Sequence, residues 1–262
     1  MPEIERPQSP RIHALVAAAV TAILLAFLVA VAWPGSADSA PLRIVVMGKT
    51  ASTPQPECPN DPCRVEGRVT AFQSLLSDGT SRPFEANFDG RIISWSISVA
   101  RPGKSNAIFF NDLFSRPAQA RIGVLRRLDS VKGKGPVFKL VRQSPVQVLN
   151  PYFGQTVEFA LDHPLKVLAG QEVALTVPTW APMFAGCPEI APPCSNGLTS
   201  GDTWRGSRQP GKCSFDNLNP QQVKERVQES HPQQRPKSKR IYGCYYSAAR
   251  LLYTATVVKK PG

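Results

Sequence analysis

From Arg91 to Val99 the chain alternates. Ile93, Trp95, Ile97 and Val99 are apolar, and Ser94, Ser96 and Ser98 between them are small and polar. Successive side chains of an extended strand point to opposite faces, so this pattern fits a half-buried strand and not a helix. Asp89-Gly90 before it and Arg101-Pro102-Gly103 after it supply turns. The alternation returns at Ile122 and Val124, at Phe138 and Leu140 around Lys139, and at Val157, Phe159 and Leu161. It returns again at Val173, Leu175 and Val177, and at Leu251, Tyr253, Ala255 and Val257. Leu168-Ala169-Gly170-Gln171 reads as a hairpin turn, and Leu42 to Met47 as a further strand or stalk. About eight to ten short strands between turn clusters imply an all-β fold: a two-sheet antiparallel β-sandwich, jelly-roll-like, around one core. No helical stripe interrupts them. The exception is Pro220 to Glu229, whose Gln, Lys, Glu and Arg suit polar helical turns or a loop.

Residues Ala14 to Trp33 are uncharged and, apart from Thr21, apolar. A helix of that length spans roughly 30 Å, the hydrocarbon thickness of a bilayer. Arg6 and Arg11 before it favour a cytoplasmic N-terminus, so the rest of the chain is expected outside the cytoplasm. The length favours an uncleaved anchor. Gly35-Ser36-Ala37 and Ala30-Val31-Ala32 keep a cleaved signal peptide open. The expected organisation is a cytoplasmic stretch 1–13, an anchor or signal segment 14–33, a linker 34–57 and a β domain 58–262.

Six cysteines, Cys58, Cys63, Cys187, Cys194, Cys213 and Cys244, suit an oxidising compartment. Pairing neighbours along the chain gives Cys58–Cys63, Cys187–Cys194 and Cys213–Cys244, among the many connectivities six cysteines allow. Their spacings lack the paired x2 of zinc ribbons, and no metal or other cofactor is expected.

Thirty-one Lys and Arg against 19 Asp and Glu give a net charge of +12, and the excess is uneven. Residues 205–240 hold nine Lys and Arg against three Asp and Glu. This basic insertion, densest at Arg235, Lys237, Lys239 and Arg240, suits an anionic envelope polymer or lipid headgroups. Nucleic acid is not expected, because the compartment is wrong and aromatics are not interleaved with the charges. Read as a solvated excursion between strands, residues 221–240 should be removable without loss of the fold.

Phosphate-loop, dinucleotide, zinc-protease and nucleophile-elbow motifs are absent. His163, in Leu161-Asp162-His163-Pro164, and His231 read as turn or loop residues, and no pair of carboxylates stands out. The long stretch from Pro178 to Gly211 attracts attention as a binding loop. Trp180 and Trp204 could stack on a sugar ring, with Asp202, Arg205 and Arg208 taking its hydroxyls; capping of the sandwich end is the competing role.

Three stretches carry a resemblance: Asp89 to Ile97, Leu165 to Ala185, and Tyr242 to Tyr246 with Arg250 to Tyr253. Together they resemble uncharacterised exported β-sandwich proteins of soil actinobacteria. The resemblance implies export and the sandwich fold and carries no activity or site residues. The expected protein is therefore an extracytoplasmic, membrane-anchored binding module for carbohydrate or an anionic envelope polymer. A structural or protein-interaction role at the cell surface and a glycan hydrolase or lyase are the alternatives. Oligomeric state is left open.

Overall fold

The computed structural model describes residues 43–51, 54–58, 63–186, 201–215 and 217–260. The segment 14–33 and the expected Cys187–Cys194 bridge lie outside these residues. Among the described residues no helix is long and apolar enough to cross a membrane.

The strands are β1 (Ile44–Met47), β2 (Glu66–Leu75), β3 (Gly90–Val99), β4 (Gln119–Val131), β5 (Gly135–Gln143), β6 (Gln147–Val148) and β7 (Gln155–Val167). They continue with β8 (Gln171–Ala181), β9 (Phe184–Gly186), β10 (Thr203–Gly206), β11 (Lys239–Ile241), β12 (Cys244–Ser247), β13 (Ala249–Leu251) and β14 (Tyr253–Lys259). Among the described residues two α-helices, α1 (Lys104–Phe114) and α2 (Pro220–Glu229), and a 3-10 turn at Asn150–Tyr152 complete the framework. All pairing is antiparallel. One sheet has four strands in the order β1-β14-β3-β7. The other has eight, β11-β5-β4-β8-β2-β10-β12 with β6 paired to β4. A separate ribbon joins β13 and β9. The expected antiparallel β architecture is present, with sheets of unequal size.

The alternating residues do bury one face, with one change of phase. Trp95, Ile97 and Val99 are buried as expected, but Ile92 rather than Ile93 joins them. The pairing of β3 with β14 and with β7 shifts register between Ile92 and Ser94. An extra residue at a bulge turns everything before it to the other face. Opposite, β7 needs four residues between Ala160 and Leu165 where β3 has one. Asp162-His163-Pro164, expected as a turn, is thus an irregularity within a strand at the edge of the four-stranded sheet. Edges and bulges are where a proline without an N–H is tolerated.

Both sheets contribute to one main core: Ile92, Trp95 and Ile97 from β3, Ala255 and Val257 from β14, and Ile122, Val124, Leu175 and Val177 from β4 and β8. The Leu168–Gln171 hairpin forms as expected, with Gly170 at φ 77°, where a Cβ would be strained.

Helix α1 departs from the sequence expectation. Phe110 and Phe114, one turn apart, are buried, but Ile108 and Phe109 on the same helix are 53% and 59% exposed. Apolar residues on both sides hide the 3.6-residue period. Phe110 packs on Trp180, and Phe114 lies so close to Gly67 that a Cβ there would meet its ring at 2.4 Å.

The basic segment is also unlike a solvated excursion. α2 carries a full capping box: Asn219 accepts from the Gln222 N–H, the Gln222 side chain returns the bond, and Pro220 opens the helix. From α2 the chain folds back over the outer face of the eight-stranded sheet. There Phe72, Leu125, Phe138, Leu140, Ala174 and Tyr242 form a second, smaller core. Gln233, 1% exposed, holds this cover down. Its amide donates to the carbonyls of Phe138 and Ser238, its carbonyl accepts from the Tyr242 hydroxyl at 2.6 Å, and its backbone N–H donates to Thr70 Oγ1. Thr70 and Thr176 bond each other beneath it. Arg121 and Gln143 both donate to the Gln234 carbonyl, and Arg68 donates to that of Val227.

Cys58–Cys63 and Cys213–Cys244 are bridged as expected. The second bridge joins positions on either side of the cover. Two disulfides accord with an oxidising, extracytoplasmic environment.

Candidate functional site

The residues expected to form a sugar platform are scattered and mostly buried. Trp180 lies on β8, fully buried, with Nε1 donating to Asn111 Oδ1 of α1 at 3.0 Å. Trp204 on β10 is fully buried too, stacked on Tyr246 at 4.0 Å between ring centroids. Neither indole offers a face to a ligand, because each fills a gap between elements. Asp202 is fully buried, with no hydrogen-bond partner for its carboxylate oxygens among the described residues, and Arg250 is the cation it interacts with.

Arg208 is a clip. Its guanidinium donates to the Glu66 carboxylate at 3.2 Å, to the Gly67 carbonyl at 3.0 Å and to the Tyr246 hydroxyl at 2.9 Å. Burial raises the Glu66 pKa, and Arg208 only partly offsets it. Burial also works against the Arg208 charge, but Glu66 and Tyr246 more than restore it, so its pKa ends raised. A buried pair fixed by three hydrogen bonds is a structural joint. Of the five residues in the expected platform, Arg205 alone remains half-exposed. It lies over the Tyr245 ring at 5.1 Å and donates to the Tyr242 carbonyl. Burial lowers its pKa somewhat.

Two pockets among the described residues bear on function. The first, about 370 Å³, lies between α2, the segment after β10 and the edge strand β11. Arg226, Lys239, Arg240 and His231 line it, together with Lys212 and Glu229, which pair with each other. Lys212 holds the Glu229 carboxyl below the usual range. Arg226, Lys239 and Arg240 have no carboxylate within ion-pair distance among the described residues. Lys239 and Arg240 therefore line a cleft with Arg226, which the sequence did not single out. Arg235 and Lys237 are exposed on the adjoining turn.

The second pocket, about 260 Å³, lies where β8 meets the loop after β2. Glu85 and Glu172 face each other there across an isolated antiparallel bridge. Glu172 is 5% exposed, and its Oε1 has no hydrogen-bond partner among the described residues. Burial, then the Glu85 carboxylate, push the Glu172 pKa well above the usual range; Arg82 and Arg127 pull weakly the other way. Ser74 Oγ, buried on the same wall, also lacks a partner. Arg82 engages both oxygens of Glu85, at 3.0 and 3.3 Å. Arg127, Arg205 and Tyr245, which is 50% exposed, complete the rim.

The carboxylate pair escaped notice in the sequence because Glu85 stands outside any alternating run. The usable signal was Glu172, which alternates with Ala174 and Thr176 on the outward register of β8.

No protein-family model, curated protein or solved structure matches the chain.

Proposed function

We propose that this chain is an extracytoplasmic β-sandwich binding module, held at the membrane by residues 14–33, that takes an anionic envelope polymer into the basic cleft. The observation that carries the reading is the convergence of Arg226, Lys239 and Arg240 on one pocket without carboxylate partners among the described residues. Cations that line one pocket repel one another, and an anionic ligand relieves that repulsion. The ligand class follows from the compartment: outside the cytoplasm, the abundant anions are phosphate- or carboxylate-bearing polymers and headgroups, not nucleic acid. The two disulfides support that compartment.

Glycan hydrolysis fits less well. Its two carboxyls must be free to move protons, and both oxygens of Glu85 are held by Arg82. A purely structural role accounts for Arg226, which donates to the Ser214 carbonyl at 2.8 Å, but not for Lys239 and Arg240 beside it.

The test is binding of the full chain to polyglycerol phosphate, read by sedimentation or calorimetry at low and high salt. Binding is expected at low salt and should fall steeply as the Debye length shrinks from about 10 Å to about 3 Å. The triple variant Arg226→Ala/Lys239→Ala/Arg240→Ala should lose at least about tenfold in affinity. Undiminished binding by that variant would remove the cleft from the proposal.

A further inference from the structure

The second pocket is independent of the basic cleft and has its own chemistry. Two buried polar atoms on its walls, Glu172 Oε1 and Ser74 Oγ, have no partner among the described residues. Buried polar groups are paired almost without exception, because leaving one bare costs about 1–3 kcal/mol. Both residues line the same hollow, so a group bound against that wall can complete these atoms once it closes on them.

Three features define that group. Burial favours the neutral form of the Glu172 carboxyl, and that form both donates and accepts. Ser74 does the same, and together they match the hydroxyls of a polyol better than a bare anion. Tyr245 is half-exposed at the rim with the Arg205 guanidinium over its ring at 5.1 Å, and its remaining exposed surface is where a pyranose ring can lie. Arg127, facing Glu172, has no ion-pair partner among the described residues, whereas Arg82 is engaged by Glu85. The rim therefore keeps positive charge suited to a carboxylate. The volume, about 260 Å³, lies just under the ~300–1,000 Å³ of drug-sized pockets and suits one ring, not a chain segment.

From this arrangement we infer that the pocket binds a single acidic sugar residue of the uronate type. Its hydroxyls meet Glu172 and Ser74, its ring lies on Tyr245, and its carboxylate pairs with Arg127.

The test is a titration of the full chain with D-glucuronate, D-glucose and acetate, followed by saturation-transfer NMR. Glucuronate is expected to bind, glucose to bind more weakly and acetate not to bind. Tyr245→Ala and Arg127→Ala should each weaken glucuronate by about tenfold. Glu172→Gln, a neutral isostere, should keep most of the affinity, whereas Glu172→Leu should lose it. The triple variant of the basic cleft should bind glucuronate like the wild type, which separates this site from that one. Acetate binding as well as glucuronate, an unaffected Tyr245→Ala, or no glucuronate binding would each overturn the assignment.

Discussion

The two faces of the eight-stranded sheet are closed in different ways. The inner face meets the four-stranded sheet through Ile122, Val124, Leu175 and Val177, which pack against Trp95, Ile97 and Val257. That closure is apolar and non-directional. The outer face is closed by a stretch of basic, polar chain, held through Gln233, Tyr242, Thr70 and Thr176 over a patch of Phe72, Phe138 and Leu140. The first kind of closure tolerates exchange among apolar residues of similar size. The second depends on each hydrogen bond having its partner. It also lets one segment seal the sheet and carry an excess of cations outward.

The strongest way to break this comparison is to delete residues 221–240. A solvated insertion would leave the fold intact. Here the deletion removes Val227 and Gln233 and bares the outer core, so loss of cooperative unfolding, followed by circular dichroism, is the expected outcome. A well-folded deletion product would show that the cover is dispensable.

A smaller effect should follow from Gln233→Leu. The Tyr242 hydroxyl is then buried without its acceptor, at a cost of about 1–3 kcal/mol in denaturant unfolding. Adding Tyr242→Phe should recover part of that loss, giving non-additivity of about 0.5 kcal/mol or more. Strict additivity would mean that the two side chains do not act as a unit.

The smallest effect concerns pH. The groups facing Glu172 are Glu85, Arg82 and Arg127, with the Tyr242 and Tyr253 phenols raised by burial nearby. In the unfolded chain Glu172 loses its proton near about pH 4.3. The stability that depends on neutral Glu172 is thus complete below that pH and declines as pH rises toward the folded-state value. Glu172→Gln stays neutral throughout. It should melt with the wild type near about pH 4 and a few degrees above it near about pH 8. Equal melting at both would mean that Glu172 is not desolvated.

The inner face was legible because its code is simple. Trp95, Leu175 and Ala255 sit where period two puts them; Ile93 for Ile92 comes from a bulge that alternation cannot announce, and the final run, read as one strand from Arg250 to Val258, breaks at Leu252 between β13 and β14. The α2 boundaries were legible from Pro220 and the polar run. Helix α1 was not, because Ile108 and Phe109 blur its apolar stripe. The cover was misread as solvated since its seal is made by Gln233 and two threonines, residue types equally at home in a loop. The same limit applies to the sites. Trp180 and Trp204 looked like a platform because sequence gives residue type without orientation, and both turn inward. Lys239 and Arg240 were visible as charge, but their meeting with Arg226 depends on how α2 folds back. Glu85 and Glu172 are 87 positions apart in numbering, and only the bridge between them makes a pair.

Thermal melting of the full chain with and without polyglycerol phosphate, set beside Arg226→Ala/Lys239→Ala/Arg240→Ala, bears most directly on the basic cleft. The expected result is equal melting of the two proteins alone, a rise of a few degrees for the wild type with the polymer, and no rise for the variant. An equal rise in both would place the polymer elsewhere. A variant that already melts far lower alone would show that these cations serve the fold and not a ligand.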